Sequence, residues 1–176
     1  MSSQNSSLIK IFTILIASFA LLSGCTTDGG APSDMPRGDS NNSTNSSGAS
    51  MPEVSGAANQ APTIGAPQGN PPSELQVKDV IDGTGAVAGP DSTLTVHYTL
   101  MAWSTGEIVE SSWNSQPATF GLNQVIVGWQ QGIPGMKEGG RRLLVIPPSL
   151  GYGEAGGGPI GPNETLIFVV DLIKVN

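Results

Sequence analysis

The chain has 176 residues and a formal net charge of −7, from seven basic and fourteen acidic side chains. This acidic balance argues against nucleic-acid binding, because phosphate backbones favour clusters of Lys and Arg. It also argues against adsorption to anionic lipid surfaces. Cys25 is the only cysteine, so an internal disulfide is excluded and a folded domain must be stabilised by an apolar core.

The chain begins with a short apolar run, residues 11–22, that follows Lys10. The run is too short to cross about 30 Å of hydrocarbon and is typical of a signal peptide. It leads into Leu22-Ser23-Gly24-Cys25, which resembles the lipobox of bacterial lipoproteins. The resemblance implies that residues 1–24 are a signal peptide and that Cys25 is lipidated. The alternative is a cysteine near a cleavage site by chance. We expect the rest of the chain to work outside the cytoplasm, anchored to a bacterial membrane.

The next segment, residues 25–72, is rich in Pro, Gly, Ser and Asn and has no aromatic residue. Such a composition cannot bury enough apolar surface to offset the entropy lost on ordering the chain. We therefore predict that this segment, beginning at the lipidated cysteine, is a disordered linker. The linker would hold a folded domain, residues 73–176, away from the membrane.

Residues 73–176 have the size of a single domain and a hydrophobic period that is mainly two. Residues 94–100 alternate between apolar and polar side chains, which predicts a half-buried strand. Residues 166–173 are apolar on both faces, which predicts a central strand. Further strands are predicted at 75–80, 107–110, 118–122 and 142–146. Residues 128–135 favour a short helix, because Trp129 and Ile133 share one face and Pro134 ends it. These elements predict an α+β domain with the helix on one face of an antiparallel sheet.

Few side chains in this domain could carry covalent chemistry. His97, the only histidine, lies on the Thr-lined face of a strand, where a hydrogen-bonded structural role is expected. The chain has no cluster of Cys and His residues, so a zinc site and other thiolate or imidazole metal sites are not predicted. Arg141 and Arg142 could bind an anion, but we expect them on a solvated strand edge. The remaining candidates are aromatic residues, whose rings and hydroxyls suit an apolar pocket that holds a carbonyl group.

Six motifs occur in an order that resembles the FKBP-type peptidyl-prolyl cis-trans isomerases. They are Val96-His97-Tyr98-Thr99, Glu110-Ser111-Ser112, Gln124-Val125-Ile126-Val127-Gly128-Trp129, Gly135-Met136-Lys137-Glu138-Gly139-Gly140, Leu150-Gly151-Tyr152-Gly153 and Pro162-Asn163-Glu164-Thr165-Leu166-Ile167-Phe168. The match extends over residues 75–175. It implies a twisted five- or six-stranded antiparallel sheet wrapped around one short helix. It also implies isomerisation of X–Pro bonds in exported polypeptides, without a cofactor or metal.

The resemblance also implies a role for each residue of the pocket. Trp129 would be the floor beneath the substrate proline. The catalytic residues would be Tyr98, Glu110 and Tyr152, with the Tyr152 hydroxyl donating to a substrate carbonyl. The substrate-binding residues would be Val109, Val125, Ile126, Trp129, Ile160 and Phe168. Of these, the backbone N–H of Ile126 would hold a carbonyl, and Ile160 would lie in a covering loop.

The sequence departs from the family pattern at two pocket positions. Val109 stands where the family usually has Phe, and Glu110 stands where it usually has Asp. By this resemblance, we expect both changes to affect macrolide binding more than catalysis, because macrolide inhibitors of the family depend on a rigid aromatic-lined pocket. The alternative function is a non-catalytic chaperone or binding module that captures Pro-containing segments on the same fold.

Overall fold

The computed structural model describes residues 50–176. The predicted signal peptide and the predicted lipidation site, Cys25, lie outside the described residues, as does the predicted linker as far as residue 49. Within residues 50–176, no helix is long and apolar enough to span a membrane.

Six strands form one antiparallel sheet in residues 73–176. They are β3 (Gln76–Ile81), β4 (Thr93–Ala102), β5 (Ile108–Ser111), β6 (Ala118–Gly121), β7 (Arg141–Ile146) and β8 (Leu166–Val175). Their order across the sheet is β3-β7-β8-β4-β5, and β6 pairs with the first half of β4. One short α-helix, α1 (Val127–Gly132), is present among the described residues and lies against the sheet. This arrangement confirms the predicted α+β fold, and every predicted strand is present within one or two residues of its expected ends.

The two long strands β4 and β8 form the middle of the sheet. Their register places Leu100 opposite Phe168 and Tyr98 opposite Val170, with a bulge between Thr95 and Val96. The predicted central position of β8 is confirmed, since it pairs with β7 on one side and β4 on the other. Because side chains alternate between faces, β8 contributes to an inner core under α1 and to a second core on the outer face.

The helix packs closely on β7 because small residues face the sheet. A Cβ atom on Gly128 would lie 2.4 Å from Cγ2 of Ile146, so no other residue fits there without displacing the helix. Arg142 caps the other end of α1, because its Nη1 donates to the carbonyls of Gly132, Ile133 and Pro134. The same guanidinium donates to both carboxylate oxygens of Asp79, at 2.6 and 2.9 Å.

Part of the segment predicted as linker is folded, so the prediction of disorder is wrong for residues 50–72. Strands β1 (Val54–Ser55) and β2 (Thr63–Ile64) pair antiparallel and make a small hairpin. Met51, Val54 and Ile64 pack on the outer core. That core consists of buried residues Met101, Trp103, Leu143, Val145, Ile167 and Val169. The hairpin therefore covers apolar surface that the sheet would otherwise expose to water.

Arg141 fixes the hairpin to the sheet, and the prediction of a solvated strand edge is wrong for both arginines. The side chain of Arg141 is 1% exposed, and it lies within 2.6 Å of each carboxylate oxygen of Asp171. It also donates to the backbone carbonyls of Gly56 and Gln60 in the hairpin turn, at 3.1 and 2.5 Å. β7 lies between β3 and β8, so its arginines are interior to the sheet. A buried guanidinium is tolerated here because carboxylate and carbonyl oxygens surround it.

We predict that Asp171→Asn destabilises the protein by about 3–5 kcal/mol, because it leaves a buried guanidinium without its counter-charge. The matched control is Asp79→Asn at the second arginine pair. Asp79 is 45% exposed, so that change should cost about 1 kcal/mol or less. Urea unfolding of both variants measures the difference. Equal losses would show that the Arg141 pair does not secure the hairpin and the sheet.

Candidate functional site

A pocket opens on the inner face of the sheet between β4, β8 and the start of α1. Tyr98 and Leu100 reach it from β4, and Phe168 reaches it from β8 directly opposite Leu100. Residues two apart on a strand point to the same face of the sheet, so Tyr98 and Leu100 both point into the pocket. The remaining lining comes from Glu110, Phe120, Val125, Trp129 and Tyr152.

Trp129 forms the centre of an aromatic cluster at the base of this pocket. Its ring meets Tyr98, Phe120 and Phe168 edge to face, with centroid distances of 5.9, 6.0 and 5.3 Å and interplanar angles of 83–89°. Edge-to-face packing aligns the positive edge of one ring with the negative face of another. Trp129 is only 4% exposed, and its contacts with these three rings fix its orientation. The result is a rigid apolar surface.

One carboxylate lies beside these rings. The hydroxyl of Tyr98 donates to Oε1 of Glu110 over 2.5 Å, a charge-assisted bond between β4 and β5. β5 carries Val109 and Glu110, and β4 and β5 pair with Leu100 opposite Glu110. The bond holds the Tyr98 ring against the cluster and leaves Glu110 at the pocket wall.

Ser112 and His97 lie outside the pocket and hold the backbone of Tyr98 in place through hydrogen bonds. The Tyr98 backbone N–H donates to Oγ of Ser112 over 2.9 Å, and the Ser112 N–H donates to the Tyr98 carbonyl. The same hydroxyl lies 2.9 Å from Nδ1 of His97, whose ring stacks on Trp113 at 4.2 Å. His97 does not line the pocket. The prediction that His97 has a hydrogen-bonded structural role is confirmed.

Both tyrosines of the pocket are held in the neutral form. Burial, together with the hydrogen bond to Glu110 and its charge, raises the pKa of Tyr98 well above its usual range. Burial, and then the charge of Glu110, also raises the pKa of Tyr152. A neutral phenol keeps its proton and can donate a hydrogen bond at physiological pH.

The loop that follows β7 brings Tyr152 and Ile160 to the site. The Gly157 N–H donates to the Ile160 carbonyl and the Ile160 N–H returns a bond to Gly157, both at 2.9 Å. Gly156 has φ +67°, and a Cβ there would lie 2.4 Å from the Ile160 carbonyl oxygen, so only glycine fits. These bonds close the loop, half-bury Tyr152 and bury Ile160 in the inner core.

The structure brings most of the predicted site residues together. Six of the nine line the pocket, namely Tyr98, Glu110, Val125, Trp129, Tyr152 and Phe168. Ile160 lies in the inner core, and Val109 and Ile126 pack against that core without lining the cavity. Ile126 is the N-cap of α1, so its N–H is not needed for the bonding of the helix.

Sequence reasoning missed two lining residues, Leu100 and Phe120. Leu100 follows Tyr98 by two positions in a predicted strand, so the alternation alone places it on the pocket face. Phe120 is the only aromatic residue of the predicted strand at 118–122. Phe120 lies on the same face of that predicted strand as Leu122, which is 1% exposed. The alternation of the strand would therefore have indicated that Phe120 points inward.

The described residues contain no group of three or more His, Cys, Asp or Glu side chains that could hold a metal ion. The pocket offers apolar rings, two phenol hydroxyls and one carboxylate. Such a set can bind an apolar ring and polarised carbonyl groups without bond making or breaking.

Residues 85–173 match the family of FKBP-type peptidyl-prolyl cis-trans isomerases. The chain is 51% identical over 121 residues to the FK506-binding protein of Streptomyces anulatus, covering 66% of this chain and 98% of the relative. This chain belongs to the FKBP-type peptidyl-prolyl cis-trans isomerases. This alignment of 121 residues is longer than the 104 residues of the span 73–176. It therefore also includes part of the preceding segment, which forms the hairpin.

Two further proteins are similar to parts of the chain. Outer membrane protein MIP of Legionella longbeachae is 44% identical over 106 residues, which covers 59% of this chain and 45% of that protein. The crystal structure of FkpA from Escherichia coli matches with a TM-score of 0.55 and 38% identity, over 58% of this chain and 48% of that chain. The residues that line the aromatic pocket lie within the span 85–173 that matches the family.

We predict that Tyr98 makes the stability of this FKBP-type domain sensitive to alkaline pH. The Tyr98 hydroxyl holds its proton more tightly in the folded protein than in the unfolded chain, where its pKa is 10.0. The stability that Tyr98 contributes is therefore complete below pH 10.0 and is lost as the pH rises above that value. The free energy of unfolding, measured in urea from about pH 8 to pH 11, should fall less steeply in Tyr98→Phe than in the wild type. Parallel curves would show that Tyr98 is not buried as described.

Proposed function

We propose that the pocket around Trp129 accelerates cis–trans isomerisation of X–Pro bonds in exported polypeptides. The observation that carries this proposal is the edge-to-face packing of three rings on Trp129, which provides a rigid apolar floor for a proline ring. Tyr98, Val125 and Phe168 form the walls. Val109, Ile126 and Ile160 complete the apolar surroundings of the site.

The proposed mechanism is rotation in a dry environment. The peptide C–N bond has partial double-bond character, and its rotation barrier is about 18–20 kcal/mol. The planar amide carries more charge on its oxygen than the twisted transition state does, so an apolar pocket disfavours the planar form relative to the twisted one. An acceleration of about 10⁵-fold requires roughly 7 kcal/mol, from desolvation, shape complementarity and hydrogen bonds.

Polar groups at the rim would orient the substrate. We assign the neutral Tyr152 hydroxyl as donor to one substrate carbonyl and the Ile126 N–H as donor to another. Glu110 holds Tyr98 through the bond of 2.5 Å and gives the rim a negative charge. None of these groups transfers a proton in the proposed cycle, because the X–Pro bond rotates and does not break.

We predict that Tyr152→Phe lowers kcat/KM about 3- to 10-fold, the effect of losing one hydrogen bond. Isomerisation of an X–Pro peptide, followed by NMR exchange on the wild type and the variant, measures this loss. The melting temperature is the control, and it should not change because the ring is retained. Full activity in the variant would remove the hydroxyl from the mechanism. Peptide binding by the wild type without acceleration would favour a non-catalytic binding module.

The chain also carries two positions that concern macrolide ligands. Val109 packs against the inner core without lining the cavity, so it offers a macrolide less apolar surface than the Phe usual in the family, and each methylene-sized contact that is not made weakens binding by about 0.8 kcal/mol. Glu110 can accept a hydrogen bond, but its longer arm loses more entropy when it is held. We therefore propose that macrolides bind this enzyme more weakly than they bind ordinary family members.

We further propose that the enzyme is attached to a bacterial membrane through a lipid on Cys25. The lipobox-like sequence Leu22-Ser23-Gly24-Cys25 supports this location, as does the similarity to a protein named as an outer membrane protein. Residues between Cys25 and Ser50 would then connect the lipid to the folded part. The substrates in this location would be exported polypeptides during folding.

We predict that a labelled fatty acid enters the wild-type chain and does not enter Cys25→Ser. Expression of both in bacteria, followed by membrane fractionation and detection of the label, measures this difference. A suitable control is Ser23→Ala, which keeps a small residue before the cysteine and should leave labelling intact. Equal labelling of wild type and Cys25→Ser would contradict the anchor.

A further inference from the structure

A groove with a volume of about 640 Å³ lies where the N-terminal hairpin meets the end of the sheet. One wall is the segment that follows β2, with Pro67 and Gly69. The other wall is the loop before β8, with Gly161 and Glu164. Trp103, a residue of the outer core, also lines the groove. The groove therefore lies on the side of the sheet that the hairpin covers, opposite to the aromatic pocket.

The hairpin leads the upstream part of the chain to the edge of this groove. In β1 and β2, Val54 is opposite Ile64. The same antiparallel register continues to a bridge between Ser50 and Gln68. Gln68 lies between two residues of the first wall. Ser50 is the first residue that the structure describes, so the chain before it continues from a point beside the groove.

The pairing partner of the upstream chain turns away just after this bridge. Gly69 has φ +75°, a left-handed conformation that ends regular strand pairing. A Cβ atom on Gly69 would meet nothing within 4 Å, and the same is true of Gly161 on the other wall. Open space therefore adjoins both walls at the place where the hairpin ladder ends.

The chemistry of the groove suits a segment with small, neutral side chains. Glu164 is the one charged side chain among the described residues that line it. Its carboxylate already accepts hydrogen bonds from the N–H and Oγ of Ser104, at 3.0 and 2.6 Å. The four residues that precede Ser50 are Ser46-Ser47-Gly48-Ala49, which are small and uncharged. They can approach the proline rings of the walls without burying a charge.

We propose that residues 46–49 of this chain occupy the groove and so extend the hairpin beyond Ser50. Four extended residues reach about 13–14 Å from that point. Because they are covalently joined to Ser50, they bind without the loss of translational and rotational freedom that a separate polypeptide would undergo. The chain upstream of the groove then leaves the domain on the face of the sheet opposite to the aromatic pocket.

The exchange of backbone amides with solvent, measured by NMR on the full chain, tests this docking. Every sample carries Cys25→Ser, so that lipidation does not differ between samples. After correction for intrinsic rates, the amides of residues 46–49 should exchange about fivefold or more slowly than those of residues 40–43, the effect of one backbone hydrogen bond. Gly161→Leu fills the groove and should make the two sets of rates equal. The amides of β8 in the same spectra report that each variant is folded.

The matched control is Ala155→Leu, which adds a large side chain at an exposed position of the same loop outside the groove. It should leave residues 46–49 protected. Equal exchange of residues 46–49 and 40–43 without a groove variant would overturn the proposal. Protection that survives Gly161→Leu would also overturn it, because the segment would then lie elsewhere. Protection that grows with protein concentration would instead assign the groove to a second copy of the chain. None of these measurements depends on X–Pro isomerisation, so their failure is distinct from failure of the proposed function.

Discussion

The structure depends on the burial of both faces of β8. Leu166, Phe168, Val170 and Leu172 point inward, and Ile167 and Val169 point outward; all are 4% exposed or less. Leaving either set in water would cost about 25 cal/mol per Å² of apolar surface. The sheet therefore needs two covers. The helix and the loops of the pocket cover the inner face, and the N-terminal hairpin covers the outer face.

The packing of α1 on the inner face of the sheet explains how so short a helix can form a binding site. Gly128 lets α1 approach β7, and this approach brings Trp129 against Phe168 of the neighbouring strand. Tyr98 then contacts Trp129 from β4 while its hydroxyl is bonded to Glu110. The same packing that stabilises the core thus forms the floor of the pocket. Consequently, a loss of the floor should reduce both stability and activity.

The sequence was sufficient to predict the strands and the helix, because the alternation of apolar and polar residues is a local signal. Its ordered motifs also predicted nine site residues, of which six line the pocket. It was insufficient for residues 50–72. Met51, Val54 and Ile64 are isolated among polar residues and glycines, so their composition indicates disorder. Their burial depends on a surface provided by strands far away in the chain. Arg141 was misjudged for the same reason, since its partners Asp171, Gly56 and Gln60 are distant in sequence.

The central claim is that this pocket catalyses rotation about the X–Pro bond through an apolar enclosure, with no proton transfer. The most direct measurement is kcat/KM for one X–Pro peptide in H₂O and in D₂O at matched pH and pD. Proton transfer in the transition state slows a reaction in D₂O, whereas rotation in a dry pocket does not involve such a step. The account predicts a ratio of about one. A ratio of about two or more would contradict it and would assign acid–base chemistry to Tyr98, Tyr152 or Glu110.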